Sequence, residues 1–211
     1  MKLQTPMRLR IKSNPRSKME TPIANPYTGA KKLQLNDGWS FRCMTDEECE
    51  AAYHRLMEER LMWAYWPQHG DSPILEHWMA VATNPETFPM AFLYNGELVG
   101  FSQNFPAYYM SRCMAVNPVM FRKFFSLGSA GFWNASAWVL NELDCVSLLG
   151  YTPVRNRHIA VMLKNIGYNV IGKIPGFIYY ARLKRYDDVY VSIATRESLL
   201  QTKEKRHENL Q

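Results

Sequence analysis

Apolar positions along this chain switch repeatedly between a helical and an alternating period, and the switches mark out an ordered set of elements. Trp39 to Cys43 reads as a short strand, and Thr45-Asp46-Glu47-Glu48 as a capping box that opens a helix from about Asp46 to Trp63. The apolar positions Cys49, Ala52, Tyr53, Leu56, Met57, Leu61 and Ala64 recur at helical spacing, so one face of that helix is buried. A polar loop from Pro67 to Pro73 precedes a second helix, Ile74 to Ala82, which Asn84-Pro85 ends. Met90–Tyr94 and Glu97–Phe101 flank Asn95-Gly96, a turn that accepts positive φ at both positions, and this predicts a hairpin. A strand from Tyr109 to Val116 ends at Asn117-Pro118, and a glycine-containing turn leads into a helix from about Leu127 to Leu143. A buried strand over Cys145–Leu149 follows, and then a helix over Arg155–Ile166 closed by Gly167. The last strands are Asn169–Arg182, bent at Pro175-Gly176, and Asp188–Ala194. This order predicts an α/β (α+β) domain with a mixed, mostly antiparallel central sheet of about seven strands and helices on both faces.

Composition changes this picture mainly at the ends. The 211 residues, 47% of them hydrophobic, are enough for one substantial core. We divide them into a basic, largely irregular arm (1–38), a folded domain (39–195) and a polar C-terminal tail (196–211). The net charge of +6 is segregated: residues 1–40 hold eight basic and two acidic residues, 41–93 three and nine, 94–150 three and three, and 151–211 eleven and five. Basic ends around an acidic first half suggest contact with an acidic partner or, failing that, solvated tails. Within the arm, Met7-Arg8-Leu9-Arg10-Ile11-Lys12 alternates apolar and basic residues, the pattern of a strand added to a partner or a neighbouring subunit. Cys43, Cys49, Cys113 and Cys145 form no CxxC pair, and the histidines show no metal-ligand spacing, so no metal is expected and the compartment is read as reducing. No apolar run is long enough to span a bilayer and no signal peptide is seen, so the expected location is the cytoplasm.

Candidate chemistry centres on Phe125-Ser126-Leu127-Gly128-Ser129-Ala130. A strand that runs into a turn of small side chains exposes the first N–H groups of the next helix, and these bind a diphosphate together with the helix dipole. The competing reading is that Gly128, Ser129, Ala130 and Gly131 only let the helix pack closely on the sheet.

The element order, the Ala115-Val116-Asn117-Pro118 strand end, the small-residue turn and the Asn156 helix ending in Ile166-Gly167-Tyr168 together resemble the GCN5-related N-acetyltransferase (GNAT) superfamily, over about Trp39 to Ala194. The resemblance implies a GNAT-like fold that binds acetyl-CoA through Val116, Leu127, Gly128, Ser129, Ala130, Gly131 and Asn156. Two positions depart from the family pattern. Phe125 stands where a basic or amide side chain is usual, with Arg122 and Lys123 as possible substitutes. Leu163 stands where many members carry the tyrosine that protonates the leaving thiolate, and no replacement acid or base is evident; Glu97 is the one acid on the strands from Met90 to Val116.

Two functions follow. One is an N-acetyltransferase moving an acetyl group from acetyl-CoA to an amine, its substrate held near the acidic first helices and Trp63, Tyr65, Trp66 and Trp78, aromatic residues that suit a cation. The other is a catalytically degenerate GNAT-fold structural or interaction protein that assembles with other subunits through its basic arm, possibilities including a bacteriophage virion component. A nucleic-acid binder ranks last, since only the basic ends support it.

Overall fold

The computed structural model describes residues 33–70, 73–84, 86–107, 112–143 and 145–208, with side chains through Thr202. The Met7–Lys12 pattern and the start of the Tyr109–Val116 strand lie outside the described residues. Seven strands form one mixed sheet in the order β1-β2-β3-β4-β5-β7-β6. They are β1 (Trp39–Cys43), β2 (Phe88–Tyr94), β3 (Glu97–Pro106), β4 (Cys113–Met120), β5 (Ser147–Pro153), β6 (Asn169–Tyr180) and β7 (Arg185–Thr195). Every neighbouring pair is antiparallel except β4 and β5, which run parallel. The β2–β3 hairpin turns at Asn95 (φ 50°) and Gly96 (φ 81°), as its dipeptide predicts.

One face of the sheet is covered by α1 (Asp46–Glu58), the single turn α2 (Met62–Tyr65) and α3 (Leu75–Ala82). Trp78 is the hub of this layer: its ring lies against Tyr53, Tyr65, Trp66 and Phe101, and its Nε1 donates to the Cys49 carbonyl at 2.8 Å. The Thr45 capping box forms as expected, and Arg42 on β1 grips Glu48 through both guanidinium nitrogens. The predicted Asp46–Trp63 helix is in fact broken at Arg60 (φ 54°), where the N–H of Leu61 donates to the Leu56 carbonyl and that of Arg60 to Met57. This is a Schellman stop built without glycine, so no residue type in the sequence announced it.

The other face carries α4 (Gly128–Glu142), α5 (Arg157–Asn165) and α6 (Arg196–Glu208). Phe132 of α4 meets Phe92 edge-on, and Trp138 packs on Phe41 and Phe88. Gly131 has a packing role here, because a Cβ at that position would come within 2.8 Å of the Trp39 ring. Leu33 is buried and exchanges two hydrogen bonds with Asn141, so the folded part begins ahead of the expected boundary at Trp39. The segment read as a polar tail corrects likewise: it starts as helix α6, with Leu199 wholly buried and its carbonyl accepting from Trp133 Nε1.

Candidate functional site

The feature that distinguishes the middle of this sheet is a split. β4 and β5 pair only at Cys113–Ser147, Met114–Leu148 and Ala115–Leu149, and then part, although β4 runs on to Met120 and β5 to Pro153. Backbone groups along a strand alternate in direction, and two bonds set the alternation on each side. Cys113 accepts from Ala107 next to β3 while Arg112 accepts from Val146 next to β5, so Val116 and Pro118 turn their backbone groups toward the gap. On the far side, Val154 donates to Asp188 next to β7, so Tyr151 and Pro153 turn theirs into the gap. Pro118 and Pro153 therefore occupy positions where any other residue would direct an N–H into the split. This explains the correction to β4, which was expected to end at Asn117-Pro118: the proline costs no ladder bond, because its own side of the strand has no partner.

The segment expected to form a cradle differs from its predicted form. A 3-10 helix, Arg122–Leu127, replaces the open turn and runs directly into α4, with the Gly128 N–H donating to the Phe125 carbonyl. Leu127 is the half-buried N-cap, Gly128 is buried, Ser129 is exposed, Ala130 is half-buried and Gly131 faces Trp39 in the core. Around Gly128 there is space: a Cβ added there would find only the Met162 sulfur of α5, at 3.9 Å. The first turn of α4 thus stands next to α5, whose N-cap is Asn156, half-buried and making no capping bond with its side chain. The α4 start and α5 thus lie side by side, while Val116 turns its backbone groups toward the opening between β4 and β5.

Neither basic substitute reaches this region. Arg122 is tied to the end of α1, its backbone N–H donating to Glu59 Oε2 and its Nε to the Glu59 carbonyl, both at 2.7 Å. Lys123 pairs with Glu97 at 3.0 Å, beside the hairpin. Phe125 is about half exposed. Leu163, at the position of the family's acid, is buried and faces Gly150. Tyr168 is no substitute, since its hydroxyl is buried against Ser136 at 2.9 Å and burial pushes its pKa well up, keeping it protonated. Cys145 is buried, with its thiol directed at the Val139 carbonyl.

On the α1–α3 side, the mouth of the split is bridged by α2. Tyr65 donates to the Asn117 carbonyl of β4 at 3.1 Å, while Trp63 packs against Tyr180 at the end of β6. Of the aromatic residues expected to hold a cation, Tyr65, Trp66 and Trp78 are buried in the core, and Arg182 already lies over the Trp63 ring at 5.2 Å. The residue that sequence reasoning missed is Gln103. It lies opposite Asn117 on β3, 7% exposed, with its Nε2 buried and without a hydrogen-bond partner. Its sequence signal is weak, since it is the middle of three consecutive polar residues, Ser102-Gln103-Asn104, in a strand that is otherwise apolar from Leu98 to Pro106.

No family model matches the chain, and no curated protein matches it in sequence. Solved structures do match in fold. A spermidine N-acetyltransferase from Vibrio cholerae, in complex with CoA and spermine, superposes with a TM-score of 0.64 at 13% identity, over 78% of this chain and 99% of that one. AAC(6')-Ib in complex with ribostamycin and coenzyme A gives 0.62 at 14% identity, over 79% and 98%. A putative acetyltransferase gives 0.63 at 12% identity, over 81% and 89%. The fold of this chain is the GNAT acetyltransferase fold, as its element order implied. No helix among the described residues is long and apolar enough to cross a membrane.

Proposed function

We propose that the protein is an acyl-CoA-dependent N-acyltransferase that uses acetyl-CoA and an amine acceptor. The observation that carries this reading is the parting of β4 and β5 after Ala115–Leu149. Acetyl-CoA supplies the activated acyl thioester. The chain's part is to bind and orient it: Val116 and Tyr151 offer backbone groups along the gap, Leu127 to Gly131 form the first turn of α4 near the diphosphate, and Asn156 contributes from α5. With Leu163 and Tyr168 both buried and apolar or fixed, most of the rate enhancement comes from orientation, and the thiolate leaves to solvent.

Calorimetry with acetyl-CoA tests this reading, with Gly128→Asp as the decisive variant. A Cβ there meets only the Met162 sulfur at 3.9 Å and the backbone is helical, so a thermal melt of the variant serves as the folding control, while its carboxylate opposes the diphosphate at the helix start. The expected result is binding by the wild type and a loss of affinity of at least about tenfold in the variant, roughly 1.4 kcal/mol or more. No heat from the wild type rejects the reading.

A second reading, a GNAT-fold subunit of an assembly that has lost its chemistry, a virion component among the possibilities, is favoured by the edge strand β6. There Val170, Ile171, Ile174 and Phe177 are exposed together. Absence of acetyl-CoA binding with a self-associated form in solution would favour it.

A further inference from the structure

The sequence supports a nucleic-acid partner only through its basic ends, yet much of the C-terminal excess belongs to the folded sheet. Residues 151–195 hold seven Lys and Arg residues and two acids, Asp187 and Asp188. Strand alternation puts Tyr186 and Tyr190 of β7 on one face, and the register sets Tyr179 of β6 opposite Tyr186 and Lys173 opposite Tyr190. α5 covers the inner part of this face, where Tyr190 and Val170 line a shallow crease with Lys164. The outer part is open: the Tyr179 and Tyr186 rings, 5.1 Å apart, are 38% and 67% exposed. Lys184, at φ 50°, and Arg185 directly precede Tyr186, and both are exposed. The two acids are already paired. Asp188 lies 2.6 Å from Lys173 and accepts from the Gly176 N–H, while Asp187 lies between Arg155 and Arg185. α5 and the 3-10 turn Ala181–Leu183 carry no carboxylate, and neither do α2 and Pro67–His69, which pack against β6. Glu197 of α6 stands at the opposite end of β7 from Tyr186.

We propose that the open face of β6 and β7 around Tyr179 and Tyr186 is a docking surface for single-stranded nucleic acid, independent of the acyltransferase reading. Exposed rings beside cations meet both needs of such a strand: its bases stack on the rings, and Lys and Arg neutralise its phosphates. A duplex makes poor use of the rings, because its bases are already stacked on one another. A second copy of the chain fits this face badly, since Lys184 and Arg185 of the two copies would bring like charges together. Charge complementarity therefore selects a polyanion, and the exposed tyrosine pair selects one that offers free aromatic faces.

The test is fluorescence anisotropy of the full chain with a labelled mixed-sequence single strand of about 20 nucleotides, and with the same sequence as a duplex, over a range of salt concentrations. Phosphatidylserine vesicles and sedimentation of the protein alone are measured in parallel. The wild type should bind the single strand more tightly than the duplex, with affinity falling as salt rises. Tyr186→Ala should weaken single-strand binding at least about fivefold with the salt slope unchanged, while Tyr186→Phe should bind as the wild type does. Lys184→Gln should reduce the slope of log affinity against log salt by about 0.7. Thermal midpoints of all three variants should match the wild type, since both side chains are exposed. Absence of single-strand binding by the wild type overturns the proposal, as does tighter binding of the duplex. Unchanged affinity in Tyr186→Ala also overturns it and assigns the binding to basic residues elsewhere in the chain, residues 1–32 among them. Vesicle binding or self-association that Tyr186→Ala abolishes, without oligonucleotide binding, overturns it in favour of a lipid surface or a second copy. Acetyl-CoA calorimetry is unaffected by any of these outcomes, so the acyltransferase reading stands or falls separately.

Discussion

The two edges of β4 are built from one stretch of chain and behave in opposite ways. Toward β3, seven residue pairs run without interruption from Gly100–Met120 to Pro106–Met114, and the Trp78 layer closes over them. Toward β5, three pairs form and the strands separate. The first edge stabilises the domain, whereas the second leaves backbone groups and space for something else to fill. Pro118 and Pro153 show how the sequence tolerates the split: each removes a donor on the side where no strand can accept it.

This contrast can be broken most directly by moving the proline one position. Val119 turns its backbone toward β3, opposite Phe101. Val119→Pro should therefore remove a ladder bond from the closed edge and cost roughly 3 kcal/mol or more, seen as a large drop in the denaturation midpoint. Pro118→Ala is the mirror experiment on the open edge. It should change stability by less than about 1 kcal/mol, because the native φ is compatible with alanine and no ladder bond is at stake. A clear gain in stability in that variant would mean that the split is closed in solution, because the new N–H would then find a ladder partner. The smallest effect should come from acid acting on the closed half. The bidentate Arg42 and the Thr45 backbone hold the Glu48 carboxyl below its usual pKa. A depressed carboxyl contributes stability above its unfolded pKa, and that contribution fades as pH falls through the lower folded value. Glu48→Gln should accordingly lower the thermal midpoint slightly at neutral pH and narrow its gap to the wild type below about pH 4, near the ordinary glutamate value.

Much of the fold was legible in advance. Period and caps placed β1, α1, α3, α4 and α5, and Asn95-Gly96 placed the hairpin, because each of these signals acts within a few residues. Where the reading went astray, the deciding interaction was distant or unmarked. Arg60 takes a left-handed conformation that glycine usually announces, and the polar segment after Arg196 becomes a helix because Leu199 finds a place under Trp133. The site followed the same division. The small residues marked the start of α4, yet the open turn expected before it is a 3-10 helix, Gly131 serves packing against Trp39, and Arg122 and Lys123 are held elsewhere. Gln103 could not be singled out, since what makes it unusual is burial without a partner, a property of the packed molecule.

The sequence by itself determined the order and type of the elements and, through them, the acetyltransferase fold, because hydrophobic period, capping and turn chemistry are local and survive in a chain that shares little identity with its structural neighbours. Only the tertiary structure decided where β4 and β5 part, which backbone groups face that gap, and that the Gln103 amide on β3 is buried without a partner. Those depend on strand register and on the packing of residues far apart in the chain, which no local pattern encodes.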